Sequence, residues 1–251
     1  MATVPAGKRR GVNRVDWTMR RPAPKIPPAA SLAPAITGPR VPEGHYTFVI
    51  KKGAEEYEGS FDLVADPRGG YSREDRAIQQ RLANDLYDAL EELTYVIEAT
   101  VHLRDATRST AAGASGRGAA RLRAYADELE VFRASRVATA EGGPLTGEEK
   151  LREQLAEVFG AIAGFDGPPT QSQVDRAAVL AGQVGEAFER YRQLSSETRL
   201  GELNRSLATP LEPLTRERWQ AQQEASRSRS GFSAKLVDGL VKGVWRPFAT
   251  R

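Results

Sequence analysis

Residues 72–108 read SREDRAIQQRLANDLYDALEELTYVIEATVHLRDATR. Ile78, Leu82, Leu86, Leu90, Leu93, Ile97 and Val101 recur at steps of four or three, which places one apolar stripe along one face of an α-helix. No Pro or Gly interrupts the run. Ser72 has the chemistry of an N-cap, and Glu74 and Asp75 fall in the first turn, where the positive end of the helix dipole favours them. A helix over this stretch is about 55 Å long. Its narrow stripe stays wet unless other helices cover it, and the sequence downstream supplies them.

Leu122, Tyr125, Leu129, Phe132 and Val137 give a second helix over 119–139, stopped by Glu141-Gly142-Gly143-Pro144. Leu151, Leu155, Val158, Phe159 and Ile162 give a third over 146–163, broken by Asp166-Gly167-Pro168-Pro169. Thr170 and Gln173 are spaced as a capping box, and Val174, Ala177, Leu180, Val184, Phe188, Tyr191 and Leu194 follow at helical spacing. A shorter helical piece covers 200–207, and Pro210 and Pro213 end it. Between the first two helices, AAGASGRG (111–118) is expected to be a flexible loop; it lacks the Lys-Ser/Thr of a phosphate loop and has no strand before it.

Upstream of the long helix the period changes from 3.6 to 2. Val15 and Trp17 alternate with polar neighbours over 13–19, which predicts a short strand. Seven Pro between 22 and 42 follow, so residues 21–44 are expected to be an extended loop; Pro24 and Pro27 also have the spacing of an SH3-type ligand. Tyr46, Phe48 and Ile50 alternate in a second strand, Gly53 sits at a tight connection, and Tyr57, Gly59, Phe61 and Leu63 return. Trp17, Tyr46, Phe48 and Phe61 are the candidate β core. A sheet this small needs cover on its apolar face, from the helices or from further strands.

The whole predicts an α+β fold: a small partial antiparallel β-sheet followed by an antiparallel bundle of three to four long helices. Residues 1–10 are expected to be disordered, 11–68 to form the β domain with its Pro-rich loop, and 72–207 the bundle. Residues 208–251 are expected to be a basic tail, disordered or weakly helical. Within that tail Phe232, Leu236, Leu240, Val241, Val244 and Trp245 repeat at helical spacing beside Lys235 and Lys242, a pattern suited to a membrane surface. The net charge of +3 conceals an asymmetry: residues 1–52 carry ten Lys and Arg against two acids, and 205–251 carry nine against four. Basic ends suit nucleic acid or an anionic membrane, or else they lie on the chain's own acidic middle. The absence of Cys excludes disulfides and thiolate chemistry, and the two His, 45 and 102, leave little for imidazole catalysis. Glu98 and His102 are four apart rather than the three of a di-metal bundle motif. There is no apolar run of membrane-spanning length, and the basic N-terminus lacks the apolar core of a secretory signal.

Several stretches resemble one family. GVNRVDW (11–17), GPRVPEGHYTFVIKKGAEEYEGSFDLVADPR (38–68) and LTGEEKLREQLAEVFGAIAGFDGPPTQSQ (145–173) are similar to the Ig-like segment and following helical region of bacterial sortilin-like proteins, whose β-propellers carry BNR repeats and are glycosyl hydrolase-like. The propeller and the strands that would precede residue 11 are absent from this sequence. The resemblance therefore implies a non-catalytic accessory or scaffolding module, working with a propeller domain or another protein. No catalytic, cofactor-binding or metal-binding residue is expected, and no cofactor or small-molecule substrate. The alternatives are contact with an anionic membrane or nucleic acid through the basic ends, and a remnant of a glycoside hydrolase-like protein. Relatives with the propeller are typically exported, but nothing in this chain assigns a compartment.

Overall fold

A computed structural model describes residues 4, 6–7, 9–31, 33, 35–142 and 147–226. The chain has the α+β class expected: a two-stranded antiparallel sheet, β1 (Gly44–Lys52) and β2 (Glu55–Leu63), then helices α1 (Arg73–Ala112), α2 (Gly116–Ala134), α3 (Leu151–Ala163), α4 (Gln171–Leu194) and α5 (Glu197–Asn204). Residues 216–226 are also helical. The amphipathic pattern over 232–245 lies outside the described residues.

The caps form as the sequence dictates. The Asp75 amide donates to Ser72 Oγ at 3.1 Å while the Ser72 amide donates to Asp75 Oδ2 at 2.9 Å, a reciprocal box that opens α1. Thr170 and Gln173 do the same for α4, at 2.9 and 3.3 Å. At the other end of α1 the connection is tighter than expected. Only residues 113–115 separate α1 from α2, and Gly116, at φ +64°, takes a backbone conformation that side chains disfavour.

The chain divides into two compact units, Met1–Ile97 with Glu130–Leu194 and Glu98–Leu129 with Ser195–Arg251. This division differs from the expected cut between a β domain and a bundle, because α1 and α2 each contribute to both units.

In the first unit Leu86, Leu90, Leu93 and Ile97 of the expected stripe are buried, but Ile78 near the start of α1 is 36% exposed. Around its middle α1 is covered on every side: Leu93, Thr94, Tyr95, Val96 and Ile97 are all buried. The Thr94 hydroxyl is satisfied there by the carbonyls of Leu90 at 2.7 Å and Lys25 at 2.8 Å. Tyr87 meets Phe159 of α3 edge-on, with ring centroids 6.5 Å apart, and Tyr95 meets Tyr191 of α4 at 6.2 Å.

The Pro-rich segment crosses this unit as a strap. Pro cannot donate to a ladder, so side chains of the helices supply the bonds instead. Arg152 of α3, only 4% exposed, donates to the carbonyl oxygens of Pro27 at 3.0 Å and Ser31 at 2.9 Å, and to Glu153 Oε1 at 2.9 Å. Ser31 Oγ also donates to Glu153 Oε1 at 2.9 Å. Arg20 donates to the carbonyls of Gly38 and Ala163, and Arg21 lies 4.0 Å over the Tyr87 ring. Gly38 is crowded by the carbonyl oxygens of Arg21 and Pro22, which leaves no room for a Cβ.

Three expectations are corrected in this unit. No strand forms over 13–19; pairing is confined to one bridge, Arg20 with Arg40, flanked by bonds from Arg21 N to Pro39 O and Val41 N to Met19 O. Pro39 has no N–H to return the bond to Arg21, and Met19, at φ +55°, leaves the extended conformation, so pairing does not continue into 13–19. Pro24 and Pro27 are buried under the strap's own contacts, so this P-x-x-P spacing is not presented to a partner. Helix α3 begins at Leu151, not at 146, because Glu148 turns away to accept from the Thr139 amide at 2.6 Å and from Lys150 at 3.0 Å.

In the second unit Leu103 of α1 and Leu122, Tyr125 and Leu129 of α2 are buried. Arg199 of α5 pairs with Glu128 at 2.8 Å and lies 5.7 Å over the Tyr125 ring. The short helix starts at Glu197 and ends at Asn204, three residues earlier than expected at each end, since Ser196 Oγ accepts from Arg199 N. The first part of the supposed tail joins this unit. Asn204 and Leu211 exchange hydrogen bonds at 2.8 and 3.1 Å, and Leu211, Leu214 and Trp219 are buried. Thr215 Oγ1 accepts from Arg218 N and opens the helical stretch 216–226.

Candidate functional site

The hairpin is the element whose chemistry is not consumed by the fold. Its two strands pair one to one over nine residues, from Gly44 opposite Leu63 to Lys52 opposite Glu55. Gly53, at φ +64°, takes the first place of the two-residue connection, where a left-handed residue keeps the strands' twist. Glu43, just before β1, pairs with Arg76 of α1 at 2.6 Å, and Gln80 donates to the Arg40 carbonyl at 2.9 Å. These bonds fix the base of the hairpin within the first unit.

Side chains alternate across the two faces. Tyr46, Phe48 and Ile50 share one face with Phe61, Gly59 and Tyr57. Trp17 closes one end of it, with ring centroids 5.3 Å from Tyr46 and 5.8 Å from Phe61, and Phe48 follows at 6.3 Å from Phe61. The tip of the Phe48 ring reaches Gly59, into the space a Cβ would take. The four residues named as the candidate β core are thus brought together, but as a cluster on an open surface. Beyond Trp17 nothing described covers it: Phe48 is 43% exposed, Tyr57 51% and Ile50 52%.

The opposite face is polar and largely paired. His45 Nδ1 lies 2.9 Å from Asp62 Oδ1, and Lys51 lies 2.6 Å from Glu56. Glu58 stands opposite Val49 with no ion pair among the described residues. At the base the Tyr46 hydroxyl donates to the Pro42 carbonyl at 2.6 Å, and burial pushes its pKa up. The Tyr57 hydroxyl donates to Glu55, which raises its pKa as well. Below β2, the side chain and amide of Arg68 hold the Asp66 carboxyl below the usual carboxylate range.

Glu98 and His102, four apart on α1, are not brought together by any bond among the described residues. Glu98 Oε2 accepts from Trp219 Nε1 at 2.5 Å and from Gln223 Nε2 at 2.8 Å, and His102 is exposed. Most basic residues described in the first 52 have internal work: Arg20, Arg21, Arg40, Lys51 and Lys52 all bond to groups of their own unit. Among the described residues no group of three His, Asp or Glu is arranged to hold a metal ion. No helix among them is long and apolar enough to cross a membrane.

Fold and site together define an α+β protein that presents an amphipathic hairpin with an aromatic outer face. No protein-family model, curated protein or solved structure matches the chain.

Proposed function

We propose that this protein is a non-catalytic accessory module that contacts another protein through the apolar face of the β1–β2 hairpin. The supporting observation is the half-exposed run of Phe48, Ile50 and Tyr57 on one face of a hairpin whose other face is polar. A hairpin of two strands is marginal in water by itself. Covering the remaining surface of these three side chains contributes about 1 kcal/mol each. The partner consistent with the sequence resemblance is a β-propeller of the sortilin-like, BNR-repeat kind supplied by a separate chain.

The test is association of the full chain with a sortilin-like, BNR-repeat propeller protein, measured by sedimentation. The wild type should form the complex. The triple variant Phe48→Ser/Ile50→Thr/Tyr57→Ser should lose it while keeping its helical circular dichroism and Tm. Equal association of both proteins, or of neither, would refute the reading. Turnover of any substrate in a broad glycoside panel would favour the hydrolase alternative. The alternative of an anionic membrane or nucleic acid is supported by the exposed Arg9, Arg10 and Arg14. It predicts binding to anionic vesicles or RNA that falls steeply with salt.

A further inference from the structure

We propose that the outer edge of β2 receives an extended strand from another protein, one in which apolar residues alternate with Lys or Arg; this rests on the reading that the hairpin docks a partner. Among the described residues the sheet has two strands, and none of them pairs with the outer side of β2. Its register with β1 runs unbroken over nine residues, with no bulge, and Glu55–Leu63 contains no Pro. Edges that must stay unpaired are commonly blunted by Pro, a bulge or charged side chains. The β2 edge has neither Pro nor bulge, and its charges are all negative, so they oppose some strands and attract others.

Charge chooses the occupant. β2 carries Glu55, Glu56, Glu58 and Asp62 and no cation. Lys52, Lys51 and His45 face three of these from the β1 side, at 3.9, 2.6 and 2.9 Å, and Glu58 has no ion pair among the described residues. A strand laid along β2 would meet Glu56 and Glu58 on the polar face and Tyr57, Gly59 and Phe61 on the apolar face. Side chains of that strand alternate with the same period of two, so cations on one side and apolar groups on the other satisfy both faces at once. A second copy of β2 would bring carboxylate against carboxylate, which disfavours pairing of the chain with itself along this edge.

The experiment uses the full chain and two fluorescent nine-residue peptides, one alternating Val and Lys, the other Val and Glu. Anisotropy titrations compare the wild type, E56K/E58K and Phe48→Ser/Tyr57→Ser, all of which alter exposed positions. The Val/Lys peptide should bind the wild type and bind E56K/E58K at least about fivefold more weakly. The Val/Glu peptide should show the reverse order. Bound Val/Lys peptide should slow amide hydrogen exchange along 55–63. Binding that survives charge reversal but is lost in Phe48→Ser/Tyr57→Ser would overturn the basic-strand assignment and leave the apolar-face reading standing. Binding that responds to neither pair of substitutions would overturn both. No binding of either peptide, or protection confined to β1, would overturn the edge assignment.

Discussion

Replacing Arg152 by Met should release the proline-rich strap from the helices beneath it. The guanidinium is 4% exposed and donates to Pro27 O, Ser31 O, Ser31 Oγ and Glu153 Oε1, at 2.9–3.1 Å. Met fills much of the same volume, so the loss is polar rather than a cavity. It takes the donor from two carbonyl oxygens and the cation from a buried carboxylate, whose Oε1 keeps Ser31 Oγ and the Ala138 amide but whose Oε2 has no hydrogen-bond partner. Breaking one side of such a buried pair costs about 3–5 kcal/mol. That is a large share of the roughly 5–15 kcal/mol that holds a domain folded. Urea unfolding followed by circular dichroism should show the loss, and limited thermolysin digestion of the native protein should cut within 21–35. The double variant Arg152→Met/Glu153→Gln should recover part of it, because the uncompensated charge is gone. A cost below about 1 kcal/mol with the strap still protected would show that its proline contacts, not the arginine, hold it.

Gly38→Ala should be among the most disruptive small changes, at about 3 kcal/mol, because the added Cβ meets the backbone oxygens of Arg21 and Pro22, which have no rotamer to escape into; thermal unfolding reads it. Trp219→Phe should remove the bond to Glu98 Oε2 and keep most of the packing, at about 1–2 kcal/mol, with 211–226 becoming more susceptible to protease. The Glu148 carboxyl is lowered to about 2 by the Thr139 amide and the Lys150 ammonium. Its folded pKa lies below its ordinary value near 4.5, so its stabilisation is complete above that value and is lost as pH falls towards 2. Glu148→Gln should flatten the dependence of Tm on pH across that window; an unchanged profile would refute the assignment.

The helices were legible because their signals are local. Ser72 with Asp75 and Thr170 with Gln173 are caps written within four residues, and the stripe on α1 follows from spacing alone. The hairpin was legible too, since Gly53 fixes the turn and the alternation of Tyr46, Phe48 and Ile50 fixes the face. Arg152 was missed, although a signal exists. With Ala156, Phe159 and Ala163 it heads a second row at helical spacing, and those three are buried. Trp219 was missed because the polar, basic residues around it read as a solvated tail.

What the sequence determined by itself is the set of elements: a hairpin with one aromatic face, a long capped helix and the shorter helices after it. These depend on backbone preferences and on hydrophobic period, which act over a few residues. The tertiary structure alone decided which surfaces remain available. It buried Pro24 and Pro27 of the strap, surrounded the middle of α1, and gave Glu98 to Trp219. It left Phe48, Ile50 and Tyr57 half open to water. Cover depends on what segments far apart in the chain bring to the same place, and no local pattern encodes that.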